Sequence, residues 1–239
     1  MIQAVKILLF SVGMVGLTIS SGQLPAFSVE VNSVEADLTV ADYLKLGLEQ
    51  LNKREFKQAL ETYNKALELS PENAEAFYNR GLAYFELGLP TKAIEDYTHC
   101  IKNAPTYTWA YNNRGYTYHT LKQYEKAIKD YDLALKLDPK MTLAYINRGI
   151  SHYELGELLL SIADYSEVIK IDPKSETAYN NRGWSHYKLK LYVKSIADYT
   201  QAIKLNPKYK NAYLNRGHCY LAMGETAKAN ADFKKAESL

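Results

Sequence analysis

Five asparagines recur every 34 residues, Asn79, Asn113, Asn147, Asn181 and Asn215, and each is followed at once by an arginine, Arg80, Arg114, Arg148, Arg182 and Arg216. An amide side chain carries both a donor and an acceptor, so a row of amides can pair with the backbone of an extended peptide whatever its side chains. Sixteen residues after each arginine stands an aspartate, Asp96, Asp130, Asp164, Asp198 and Asp232. One copy of the pattern breaks it at both places together, with Leu46 and Thr62. That joint absence points to an ion pair inside each copy. Pairing with the following copy would set Arg80 against Thr62 and leave Asp232 facing nothing. The alternative is that both charges are solvated, the arginine snorkelling along its stem. Either way the role is structural.

Other candidates for chemistry fall away on spacing. In His99-Cys100 and His218-Cys219 the neighbours diverge by about 100° on a helix, so neither dipeptide supplies two arms of a zinc site. The two cysteines lie too far apart in the chain's repeats to bridge, and Cys100 reads as a small core residue. His152 and His186 stand where other copies carry tyrosine, as core imidazoles would, while His119 is one position further on and faces the other way. There is no glycine-rich phosphate loop, nucleophile elbow, HExxH or paired CxxC. The chain therefore reads as a non-enzyme with no cofactor and no metal. Its 29 basic and 27 acidic side chains are spread without a block, which disfavours nucleic acid or an anionic membrane as the main partner.

The interval of 34 residues organises the whole chain after Val40, in units 40–73, 74–107, 108–141, 142–175, 176–209 and 210–239. The fourth position is aromatic (Tyr43, Phe77, Tyr111, Tyr145, Tyr179, Tyr213) and the eighth is glycine (Gly47, Gly81, Gly115, Gly149, Gly183, Gly217). The twentieth is small (Ala59, Ala93, Ala127, Ser161, Ser195, Ala229) and the twenty-fourth aromatic (Tyr63, Tyr97, Tyr131, Tyr165, Tyr199, Phe233). Prolines 71, 105, 139, 173 and 207 close the first five units. This spacing resembles the tetratricopeptide repeat. The resemblance implies an all-α, right-handed α-solenoid of six stacked helical hairpins that binds a protein or an extended peptide in its concave groove. Glycine on the first helix and the small residue on the second would let the two approach closely.

On a helical wheel, positions 2, 5, 6, 9, 12 and 13 of the first helix share the arc away from the core. The asparagine ladder sits on that arc, and around it lie Trp109, Asn112, Tyr116 and His119, then Tyr153, then Asn180, Trp184 and Tyr187. Large aromatics with polar tips are common interface anchors, so the central repeats are the expected specificity region. Two plainer readings stay open: the amides bridge helices of the scaffold, and Trp109 packs on an adjacent helix end. The lysine and asparagine set with which some tetratricopeptide domains clamp a terminal carboxylate is not reproduced, since only Lys45 and the asparagines fit and no later repeat has lysine or arginine at position 2 or 6.

The first 28 residues are of another kind. Lys6, the apolar run 7–20 and the small residues of Ala26-Phe27-Ser28 read as a secretory signal peptide, followed by a linker over 29–39. An uncleaved anchor is the alternative; only then would a membrane span be present. Export would place the array in the periplasm, a thylakoid lumen or outside the cell. Two rival roles are a self-assembling structural module and a regulatory or assembly factor for a cell-envelope or photosynthetic-membrane complex. The second follows from the resemblance of these repeats to bacterial and cyanobacterial ones.

Overall fold

The computed structural model describes residues 38–239, so the signal-peptide reading of residues 1–28 and nearly all of the linker lie outside the described residues. The described residues form six helical hairpins: α1 (Val40–Asn52) with α2 (Phe56–Leu69), α3 (Ala74–Glu86) with α4 (Pro90–Asn103), α5 (Thr108–Thr120) with α6 (Tyr124–Leu137), α7 (Thr142–Glu154) with α8 (Leu158–Ile171), α9 (Glu176–Lys188) with α10 (Tyr192–Leu205), and α11 (Lys210–Ala222) with α12 (Thr226–Glu237). Each hairpin opens on the first residue of a sequence repeat. Local chemistry explains several boundaries. Thr39 and Asp42 close a capping box on α1, and the side chains of Asn73 and Ser175 accept from the backbones of Ala76 and Ala178 at the starts of α3 and α9. Pro90, which has no N–H to lose, occupies the first turn of α4.

One residue in every hairpin turn is left-handed. In repeats two, four and six it is glycine, Gly88, Gly156 and Gly224, with φ of 72°, 78° and 78°. In the other three it is Arg54, Lys122 and Lys190, with φ of 63°, 58° and 59°, where a Cβ meets the neighbouring carbonyl and costs about 1 kcal/mol.

Within a hairpin the glycine at position 8 makes room for a ring rather than for the facing backbone alone. A Cβ on Gly115 would lie 2.9 Å from the Tyr131 ring, and one on Gly183 2.9 Å from that of Tyr199. The rings of Tyr63, Tyr131 and Tyr199 are completely buried, as are the small residues at position 20. Between hairpins the seat is an alanine at position 3. In three separate apolar clusters Ala76 joins Ala66, Ala144 joins Ala134 and Ala212 joins Ala202, each partner belonging to the preceding repeat. Because each hairpin hides its apolar face only against its neighbours, stability accumulates along the stack.

Alternate pairs of successive first helices touch, α1 with α3, α5 with α7 and α9 with α11, whereas among the described residues no two successive second helices meet to that extent. The stack is therefore tighter on the first-helix side, which makes that side the inner, concave one. No helix of the described residues is long and apolar enough to cross a membrane.

Candidate functional site

The frame of the inner face is held by five arginine clamps. Arg114 on α5 donates from Nε and Nη2 to the two carboxylate oxygens of Asp130 on α6, at 2.8 and 2.7 Å. Arg80 with Asp96, Arg148 with Asp164, Arg182 with Asp198 and Arg216 with Asp232 repeat this fork. A planar guanidinium matches a carboxylate in just this two-bond way. The third nitrogen, Nη1, reaches back to the preceding repeat: to Asn64 from Arg80, Thr98 from Arg114, Asp132 from Arg148, Ser166 from Arg182 and Thr200 from Arg216. Each arginine thus ties two helices of its own hairpin and one of the previous hairpin. The sequence reading missed this third arm. Its signal was present at position 25, which is polar in the first five repeats and becomes Lys234, which cannot accept, in the sixth. In the first repeat the Thr62 hydroxyl donates instead to Gln50 at 2.7 Å. Burial pushes the carboxyls of Asp130 and Asp164 upward and the facing guanidinium pulls them back, leaving both somewhat above an ordinary aspartate.

The asparagines pair mostly along the stack. Asn113 donates to the Tyr78 hydroxyl at 2.9 Å, Asn147 to the Asn112 carbonyl at 3.3 Å and Asn215 to the Asn180 carbonyl at 3.2 Å, each partner lying one repeat earlier. Asn113 and Asn181 accept in turn from Asn112 and Asn180. Asn79 is only 6 % exposed. Asn112 and Asn180, expected to face the groove, are buried beneath it, at 1 % and 9 %. The amides therefore form a hydrogen-bonded seam that aligns the first helices, and the part of the ladder available to a ligand is its rim.

The aromatic residues stand above that seam. Trp109 and Tyr116 are about half exposed, with Tyr116 leaning on Phe85 at 5.5 Å between ring centres. Trp184 donates its indole N–H to the Tyr153 hydroxyl at 2.7 Å, stacks on Tyr187 at 5.4 Å and carries the Lys188 ammonium 5.0 Å above its ring. Ile150, Tyr153, Tyr165, Asn181, Trp184 and Ser185 line a pocket of about 190 Å³ between repeats four and five. One repeat earlier, Tyr116, His119, Tyr131, Asn147 and Ile150 line a smaller one of about 20 Å³. Ile150 is the wall they share. The buried Tyr131 hydroxyl has no hydrogen-bond partner, so the smaller pocket presents an unsatisfied polar group. Burial pushes that hydroxyl far up and lowers the His119 imidazole, whose Nδ1 lies 2.9 Å from the Ser151 hydroxyl. Neither pocket lining contains a carboxylate, lysine or arginine.

The remaining polar candidates serve the frame. His186 sits 2.9 Å from Asp198 and His152 2.6 Å from Glu157. Cys100 and Cys219 are buried and free, and burial pushes the Cys100 thiol up to about 12. Among the described residues no group of three histidine, cysteine or acidic side chains is placed to hold a metal ion.

Comparison with known proteins agrees with this architecture. Models described as tetratricopeptide repeat match residues 74–107, 108–141 and 177–209, and again 198–229; one described as TPR repeat matches 52–88 and 151–190. Two of these matches start and stop where the second and third hairpin units do. Over 57 residues, 24 % of the chain, it is 46 % identical to the BBSome complex member BBS4 of Bos taurus; over 46 residues, 19 % of the chain, it is 46 % identical to the uncharacterized protein MJ0572 of Methanocaldococcus jannaschii. The matches span 10 % and 54 % of those relatives' lengths. Among solved structures, a tetratricopeptide repeat protein from Parabacteroides merdae is 28 % identical with a TM-score of 0.64, covering 85 % of this chain and 80 % of that one. PilW, a type IV pilus biogenesis factor, shares the fold with a TM-score of 0.71 at 19 % identity, covering 81 % and 90 %. The chain belongs to the tetratricopeptide-repeat family of protein-interaction scaffolds.

Proposed function

We propose that the inner face of repeats three to five binds an extended, largely uncharged segment of another protein, without catalysis. The observation that carries this is the pair of adjoining pockets either side of Ile150, the smaller one lined by the half-exposed Tyr116, with Trp109 exposed on the same helix. Aromatic side chains left half in water above an uncharged depression are what an interface anchor leaves behind when its partner is away. Backbone pairing falls to the rim of the asparagine seam, and side-chain choice to the pocket beside Trp184.

The rival reading, head-to-tail self-assembly through the repeat surfaces, is opposed by the end faces. The alanine seat at position 3 is Asp42 in the first repeat, so a preceding hairpin in the same register would bury a carboxylate. On α12 the isoleucine or leucine of positions 21 and 28 becomes Asn230 and Glu237, and the acceptor at position 25 becomes Lys234. Export remains part of the proposal through residues 1–28, and with it an assembly role at the cell envelope.

Binding of the partner to Trp109→Ala and Trp184→Ala proteins, measured by calorimetry, tests the reading. Each anchor lost should cost about 2 kcal/mol of affinity while the unfolding midpoint changes little for the exposed Trp109. Full affinity in both variants would mean that the partner sits elsewhere.

A further inference from the structure

Repeats four and five depart from the others at one place on the surface. The second and third residues of the second helix are Lys57 and Gln58, Thr91 and Lys92, Glu125 and Lys126, and Ala227 and Lys228 in the other four repeats. In α8 they are Leu159 and Leu160, and α10 has Val193 before Lys194. The fold does not hide them: Leu159 is 72 % exposed, Leu160 51 % and Val193 71 %. Neighbouring apolar side chains left in water at positions that four sister repeats fill without a large apolar group mark a contact surface.

This edge is continuous with the groove. A depression of about 290 Å³ is lined by Leu158, Leu159, Leu160 and Leu189 together with Gly156 and Glu157. A second, of about 370 Å³, is lined by Tyr153, Glu154, Gly156, Leu158 and Lys188. The second shares Gly156 and Leu158 with the first and Tyr153 with the Trp184 pocket. The pass between them is low, because Gly156 stands where repeats three and five carry Lys122 and Lys190, and a Cβ there would have nothing within 4 Å. Glu154 and Lys188 flank it with opposite charges.

We infer that the segment bound in the groove leaves it over the hairpin turn at Gly156 and sets a second apolar anchor on Leu159, Leu160 and Val193. The occupant is one polypeptide stretch with two apolar anchors joined by a short neutral link, the first anchor beside Trp184 and the second on the outer edge. This rests on the groove reading given above, and adds to it the route, the second contact and the chemistry of the ligand.

The probe is a set of long peptides selected from a displayed random library on the full chain. Each is then titrated against three proteins: wild type, Trp184→Ala, and Leu159→Thr with Leu160→Lys, which copies Thr91 and Lys92 of the second repeat and should leave the unfolding midpoint unchanged. The inference requires that selected peptides carry two apolar clusters and lose about tenfold in affinity with either variant. Loss in Trp184→Ala alone would overturn the edge contact and leave the groove reading standing. Loss in the leucine variant alone would make the edge a separate site and overturn the shared route. Binding that neither change weakens, or the absence of selected peptides, would remove the groove reading and this one with it. A change of oligomeric state in the leucine variant by light scattering would show that a second copy covers the edge, which also overturns the inference.

Discussion

Replacing Arg114 by leucine should destabilise the array by about 3 kcal/mol, and the size follows from what is left behind. Two charge-assisted bonds to Asp130 and a third to Thr98 disappear together. The Asp130 side chain, 6 % exposed, keeps its charge with no counter-ion, and breaking one partner from a buried pair costs about 3 to 5 kcal/mol. The lower end applies because the arginine is itself 16 % exposed, so water reaches its vacated place. Asp130→Thr should cost a similar amount by stranding the guanidinium. Making both changes, with Tyr118→Gln added, rebuilds the Leu46, Gln50 and Thr62 arrangement of the first repeat and should recover most of the loss. With Arg114 gone, burial acts on Asp130 unopposed and holds its folded pKa above the unfolded one. A carboxyl raised in this way favours the folded state at acid pH and loses that advantage as pH rises. The single-variant deficit should therefore shrink as pH falls toward the ordinary aspartate range. Urea denaturation of the wild type, both singles and the multiple variant gives the coupling directly. Losses that simply add, or a deficit indifferent to pH, would refute the clamp as an interacting unit.

The left-handed turn residues offer the opposite sign. Lys122→Gly and Lys190→Gly should each stabilise by about 0.5 to 1 kcal/mol in the same denaturation assay, since glycine takes this φ without strain. Asn147→Ala should cost about 1 kcal/mol of stability through the lost bond to Asn112, with only a small change in binding per folded molecule. A variant that folded normally but lost its partner would make ligand pairing at the rim, rather than alignment of the first helices, the main role of Asn147.

Much of the fold could be read from the chain because each repeat is a control for the others. Helix starts coincide with the 34-residue units, and the coupled loss of arginine and aspartate in the first repeat identifies partners that a single copy would not. What stayed hidden has a common cause. The third arm of each arginine can donate to any short polar acceptor, so position 25 varies among Asn64, Thr98, Asp132, Ser166 and Thr200 and shows no single residue type. The asparagine bonds likewise end on a position that varies, Tyr78, Asn112 and Asn180 where it is polar but Leu44 and Ile146 in two other repeats. Asn112 and Asn180 fall on the groove arc of an ideal wheel, yet the neighbouring first helix covers them. A wheel describes one helix, whereas burial depends on the next. The strained backbone of Arg54, Lys122 and Lys190 was equally hidden, because lysine and arginine carry no signal for a positive φ.

Where the bound segment lies can be asked of the molecule itself. A photoreactive phenylalanine analogue placed at Ile150, at Trp109, or at the exposed outer residue Leu133 can be activated in extracts of the native host. Groove binding requires one protein adduct common to Ile150 and Trp109 and absent at Leu133. An adduct formed from Leu133, with none from Ile150, would place the partner on the outer surface and contradict groove binding.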